Sequence, residues 1–298
     1  MGHCPLAPWP RLKGHKPSGS SGDIIYVSTV KGVVLVSYPE GKIISTIPFY
    51  TSDIPITVCS DPNAGNVFLP ENNTIYEYAH GATTPDATLS VPSGYEDAYG
   101  CALDPLTGDL AVAVVVVGGY GALLVYPKAT GTPTVYRNKQ IEFFGYLAYD
   151  ASGNLFSAIE KRTFGWFIAE IPAGKTQVKF LKIVGCACQP GKLEWDGEHL
   201  VFEDSNSGQS YLGQLSVAKN SVTLVGMVEP RGIVNNDAFW INNRHVFGRF
   251  VAIRHGNNVP VGVWAYPSNG KHKKAFYDIS KGEKNGIYDI TISVSPSH

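Results

Sequence analysis

Five times along the 298 residues, a short strand-forming run ends in an acid or amide turn and a second strand-forming run follows. Thr57-Val58-Cys59-Ser60-Asp61 precedes Gly65-Asn66-Val67-Phe68, and Cys101-Ala102-Leu103-Asp104 precedes Gly108-Asp109-Leu110-Ala111. Tyr146-Leu147-Ala148-Tyr149-Asp150 precedes Gly153-Asn154-Leu155-Phe156, and Leu193-Glu194-Trp195-Asp196 precedes His199-Leu200-Val201-Phe202. A worn copy sets Phe239-Trp240-Ile241-Asn242 before His245-Val246-Phe247. From Asp61 through Asp104, Asp150 and Asp196 to Asn242 the steps are 43, 46, 46 and 46 residues. A chain this periodic is built from one supersecondary unit stacked against copies of itself.

A second unit is an alternating strand that ends in a turn, often at an aromatic-Pro pair. It contains Tyr38, Tyr78, Tyr126, Ile171, Leu215 and Tyr266, spaced by 40, 48, 45, 44 and 51 residues. Each copy runs into one more β-rich stretch, such as Thr134-Val135-Tyr136 or Val178-Lys179-Phe180-Leu181. Four strands in about 45 residues describe a propeller blade. There are six copies of this unit and only five of the first. The missing inner strand is expected at Ile290-Thr291-Ile292-Ser293-Val294, paired with Asp23-Ile24-Ile25-Tyr26-Val27. The expected fold is all-β: a six-bladed β-propeller with four antiparallel strands per blade, closed by its two chain ends. It forms one domain over residues 23–298, behind a flexible leader at 1–22.

Composition narrows the partners. Lys and Arg number 24 against 25 Asp and Glu, a net charge of −1, which argues against a protein that neutralises phosphates. No stretch of 18 apolar residues suggests a membrane helix, and the longest apolar run, Leu110 to Val117, reads as a buried strand. The leader lacks the continuous apolar core of a secretory signal, so localisation is not encoded. A monomer acting on a small molecule is expected. Five cysteines, an odd number, argue against a complete disulfide framework. Cys59 and Cys101 are expected as free buried thiols, and Cys186 and Cys188 as at most a reactive pair. No second Cys pair completes a zinc site.

Strand alternation sorts the loops onto two faces. Turns between the first and second strands carry Asp61, Asp104, Asp150, Asp196 and Asn242, which read as turn chemistry. On the other face, the connections between blades and the turns between second and third strands bring acids and amides together. These include Glu96, Asp97, Glu142, Glu203, Asn236, Asp237, His255 and Asp289. Oxygen ligands converging on a channel mouth suit a hard divalent cation such as Ca²⁺.

The Asp-x-x-x-Gly-Asn-Leu turns and Tyr-Pro turns resemble six-bladed propellers of the NHL-repeat and senescence-marker/gluconolactonase-like kind, closest to uncharacterised bacterial members. That resemblance implies a divalent metal held at the channel mouth by Glu, Asn and Asp from different blades. Asn235, Asn236 and Asp237 are the counterparts of later ligands, while Val27 to Lys31, where a first Glu stands in the family, carries none. The expected activity is hydrolysis of a small ester, lactone or phosphoester, assisted by the metal. Metal ligands would come from Glu96, Asp97, Asn236, Asp237 and Asp289, with His255, Glu203 and Glu142 as catalytic groups. The alternative is a non-catalytic module that binds a ligand or a protein. Related proteins make a secreted or periplasmic location plausible.

Overall fold

The computed structural model describes residues 22–29, 31–49, 57–116, 120–161, 165–204, 211–228, 238–242, 249–254, 260–266, 272–278 and 287–295. Short β-branched and aromatic runs, broken by Gly, Asn and Asp turns, form strands that pair antiparallel except between residues 182–184 and 221–223. A single 3₁₀ turn, Pro127–Ala129, is the one helical element among the described residues. No helix there is long and apolar enough to cross a membrane.

The first three strands, β1 (Ile24–Thr29), β2 (Gly32–Ser37) and β3 (Ile43–Ile47), pair in order. Next come β4 (Cys59–Ser60), β5 (Val67–Glu71), β6 (Thr74–Tyr78) and β7 (Ala87–Ser90). A third sheet holds β8 (Tyr95–Leu103), β9 (Leu110–Val116), β10 (Tyr120–Tyr126) and β11 (Thr134–Tyr136). Two further runs follow: β12 (Ile141–Tyr149), β13 (Leu155–Lys161), β14 (Trp166–Ile171) and β15 (Lys179–Val184), then β16 (Pro190–Trp195), β17 (Leu200–Asp204), β18 (Leu212–Val217) and β19 (Ser221–Val228). Parallel pairing of residues 182–184 with 221–223 fuses these runs, along β15 and β19, into one eight-stranded sheet. The last run is β20 (Phe239–Asn242), β21 (Arg249–Arg254), β22 (Pro260–Tyr266) and β23 (His272–Asp278).

β24 (Ile287–Ser293) returns to the start of the chain and pairs antiparallel with β1, placing Ile290 opposite Val27 and Ile292 opposite Ile25. The two terminal runs expected to pair are therefore hydrogen-bonded partners. Side chains fasten the junction to the following sheet. Ser60 Oγ donates to the Ile292 carbonyl at 2.8 Å, Ser293 Oγ donates to the Gly65 carbonyl, and the Gly81 N–H donates to Tyr26 Oη at 2.7 Å. Ser295 N–H donates to Asp23 Oδ1 at 3.0 Å.

Apolar side chains collect between successive sheets. Phe68, Ile75, Val112 and Leu124 share one core, and Phe156, Ile168, Leu193 and Phe202 share another. Ile25 and Ile290 from the joined ends share a core with Val261 and Val263 of β22. The inner strands β4, β8, β12, β16, β20 and β24 lie against one another in chain order, and β24 lies against β4. Their backbones come close. A methyl group on Gly100 of β8 would stand 2.8 Å from the Gly145 carbonyl and 2.9 Å from the Tyr146 Cα of β12. Only glycine allows that approach.

The acidic turns behave as their sequence suggests. Asp61 Oδ1 accepts from the N–H groups of Asn63 and Ala64, and Asp104 Oδ1 from Leu106. Asp150 Oδ1 accepts from Ser152 and Asn154, and Asp196 Oδ1 from Glu198 and His199. Gly65, Gly108 and Gly153 follow with φ of 75°, 74° and 78°, the left-handed geometry that closes each turn. The turn after Asn242 lies outside the described residues.

The cysteines depart from expectation. Cys59 and Cys101, expected as free thiols, form a disulfide with Cα atoms 5.8 Å apart. β4 and β8 are neighbouring inner strands, and a one-residue offset relative to Asp61 and Asp104 turns the two side chains toward each other. Cys186 and Cys188 are also bridged. Their chain is bent, with Cα atoms 5.3 Å apart, where a fully extended pair would stand at about 7 Å. Two bridges occupy four of the five cysteines. Thiol titration of unreduced, denatured protein is expected to find one reactive thiol per chain; finding three or more would mean that a bridge does not form.

Candidate functional site

Inner strands of all these sheets surround a cavity of about 330 Å³. Its walls are mainly apolar, with Cys59, Cys101, Ala102, Leu147, Ala148 and Ile241 among them. Four aromatic residues, Tyr146, Tyr149, Trp195 and Trp240, also line it. Pro62, Pro105, Asp150 and Gly197 place one side of the cavity against the turns between first and second strands. Sequence reasoning assigns that face to turn chemistry alone.

One charged cluster reaches into the cavity. Lys192 of β16 is 5 % exposed and Asp289 of β24 only 1 % exposed. The Lys192 ammonium donates to Asp289 Oδ1 and, at 2.7 Å, to the Ile290 carbonyl. Asp289 Oδ2 accepts from the Val58 N–H at 2.9 Å and from Thr57 Oγ1 at 3.1 Å. Asp289 thus joins the starts of β4 and β24 to the middle of β16. Its remaining acceptor capacity takes the Ile290 N–H at 2.8 Å.

Glu194, two residues along β16, has Oε1 3.7 Å from the same ammonium. Two carboxyls therefore share one cation. Burial pushes the Glu194 carboxyl up to about 8; Lys192 opposes the rise and the Asp289 charge adds to it. Its side chain retains 21 % exposure and lines the cavity, so solvent screening moderates the effect. The folded state holds a proton on Glu194 that the unfolded chain releases near the ordinary carboxylate value. The associated stability is fully present below about 4.5 and is lost as pH rises through about 8. Glu194→Gln is expected to gain stability over the parent by up to a few kcal/mol between those limits, read from urea melts at pH 4.5, 6.5 and 8.5. A difference that does not change with pH would show that Glu194 titrates normally.

The expected site residues are scattered by comparison. Asp289 lines the cavity. Glu203 is buried in β17, where it pairs with Leu212 of β18. Glu96, Asp97 and Glu142 are exposed at the starts of β8 and β12. Asp97 and Glu142 each fall at a register shift, where β8 and β12 carry an extra residue against their partners. Glu96, Asp97, Glu142 and Glu203 lie outside the cavity lining. Asn236, Asp237 and His255 fall outside the described residues, as does Asn235. Among the described residues, no three His, Cys, Asp or Glu side chains gather as a metal ion would require. Asp289, the one expected ligand in the cavity among the described residues, is already engaged by Lys192, Thr57 Oγ1 and the N–H groups of Val58 and Ile290. Two of the five expected ligands, Asn236 and Asp237, lie outside the described residues.

No family model matches the chain, and no curated protein matches it. Solved structures do. A protein of unknown function from Bacteroides caccae superposes with a TM-score of 0.65 at 13 % identity, covering 91 % of this chain and 99 % of that one. The β-propeller domain of Myceliophteria thermophila Cps50 (Swd1) superposes with a TM-score of 0.58 at 13 % identity, covering 89 % and 85 %. The chain is a β-propeller. At such identity the likeness carries the fold and no activity.

Two residues of the propeller's charged cluster escaped sequence reasoning, although a signal for them exists. Aligning the repeats on Asp61, Asp104, Asp150 and Asp196 puts Thr57, Gly100, Tyr146 and Lys192 in one column. Cys59, Ala102, Ala148 and Glu194 fall in another. A lysine and a glutamate interrupt columns that are otherwise uncharged. In an inner strand, such an interruption points at the propeller's axis.

Proposed function

We propose that the chain is a six-bladed propeller, its first blade completed by β24 and β1, and that it works as a binding module for a small organic molecule held in the central channel. The eight-stranded sheet then counts as two blades joined at their outer strands. The observation that carries the binding reading is the cavity itself. Its volume is within the range of small-molecule sites, its walls are apolar and aromatic, and its polar groups are few and convergent. Trp195 and Trp240 report on it directly. Titration with 2-phenylethanol, 2-phenylethylamine and phenylacetate is expected to give a saturable change in tryptophan fluorescence with at least one probe, reduced in Trp195→Phe or Trp240→Phe. No saturable change with any of the three would end this reading.

A metal-assisted hydrolase of small esters, lactones or phosphoesters remains the second reading. Asp289 favours it, since this expected ligand does reach the channel. Chelation should then lower the melting temperature and abolish turnover of an activated aryl ester or lactone. Unchanged stability and turnover would remove the metal mechanism.

A further inference from the structure

We infer that the channel cavity is selective for a small organic cation, an ammonium carried on an apolar or aromatic body, which sits against Glu194. The inference rests on the cavity being the binding site and adds the chemical class of its ligand.

Charge is the first argument. Glu194 and Asp289 approach the single ammonium of Lys192, and Asp289 holds the closer contact. Among the described residues, the charged groups acting on Glu194 are Lys192 on its own strand and Asp289 from β24. Lys192 directs two of its three donors to Asp289 and the Ile290 carbonyl, so a ligand anion would have to compete with a buried carboxylate already in place. A ligand cation competes at Glu194 with the Lys192 ammonium, which stands 3.7 Å away and is held more closely by Asp289. The ligand supplies the positive charge that the three-group cluster lacks and lets Glu194 release its proton.

The walls are the second argument. Trp195 adjoins Glu194 in β16, and Trp240, Tyr146 and Tyr149 line the same space. Aromatic faces attract cations and accept an apolar body equally well. The third carboxylate of the lining, Asp150, is occupied by its own turn: both oxygens accept from Ser152 and Asn154. Glu194 is left as the acid that a ligand can use.

The test is calorimetric titration of the full chain at pH 7 with three probes of nearly one shape: 2-phenylethylamine, 2-phenylethanol and phenylacetate. The amine is expected to bind at least about tenfold more tightly than the alcohol, and the acetate more weakly than either. Amine binding should release protons, seen as a heat that differs between phosphate and Tris buffers, and should tighten from pH 6 to pH 8.5. Glu194→Gln, checked by its melting curve, should bring the amine down to the level of the alcohol and abolish proton release. Alcohol binding as tight as amine binding would overturn the cation inference and keep the cavity reading. Silence from all three probes would overturn both. A Ca²⁺ titration forms the last arm. If Ca²⁺ raises the melting temperature of the parent and not of Glu194→Gln, while the amine does neither, the missing charge belongs to a metal and the inference fails.

Discussion

A chain ended at residue 286 is expected to lose its cooperative thermal transition. Removing β24 strips β1 of its partner along six residues and leaves an unpaired row of backbone donors and acceptors. Residues 289–293 are all buried. Ile290 and Ile292, at 0 and 1 % exposure, contribute about 1.5–3 kcal/mol apiece through burial alone. Their loss also uncovers Val261, Val263 and Ala238 of the core they share. Asp289 goes with them, leaving Lys192 buried beside Glu194 only. Against a typical total stability of about 5–15 kcal/mol, these losses are ruinous. Circular dichroism melts of the full and shortened chains decide the matter. A shortened chain that melts cooperatively at the full-length temperature would show that β24 does not complete the fold.

Lys192→Met is expected to cost about 3–5 kcal/mol, the range for breaking one side of a buried ion pair. The variant leaves Asp289 buried with Glu194 nearby and no ammonium for either. Because the cost comes from ionised carboxyls, it should grow as pH rises and shrink in acid. Adding Asp289→Asn to Lys192→Met should restore most of the loss, since the amide oxygen still accepts from the Val58 N–H while the uncompensated charge disappears. Urea denaturation of parent, single and double variants at pH 5.5 and 8.5 measures this. Equal destabilisation in the single and double variants would mean that Lys192 acts through its packing, not its charge.

The repeat grammar carried far. Asx turns at Asp61, Asp104, Asp150 and Asp196 are local chemistry: each carboxylate bonds N–H groups two to four residues ahead, so its role is readable from its own neighbourhood. The pairing of residues near 25 and 292 was legible for a related reason. A strand count with one inner strand missing and two terminal runs unassigned leaves a single way to satisfy both. The candidate site was much less legible. Glu96, Asp97 and Glu142 looked convergent because strand polarity puts them on one face, yet polarity does not say how far each stands from the axis. All three are exposed. The disulfides were missed because adjacency between β4 and β8 depends on how sheets stack, and the bend at residues 186–188 depends on how β15 hands over to β16.

Period, strand alternation and turn residues determined the strands, their order and the meeting of the two chain ends, because each depends on neighbours within about 45 residues or on the need to pair every strand edge. Tertiary structure alone decided which side chains share the axis. Lys192, Glu194 and Asp289 come from strands almost a hundred residues apart. Their joint electrostatics, two carboxyls on one buried ammonium, exist only once β16 and β24 are packed on the same cavity.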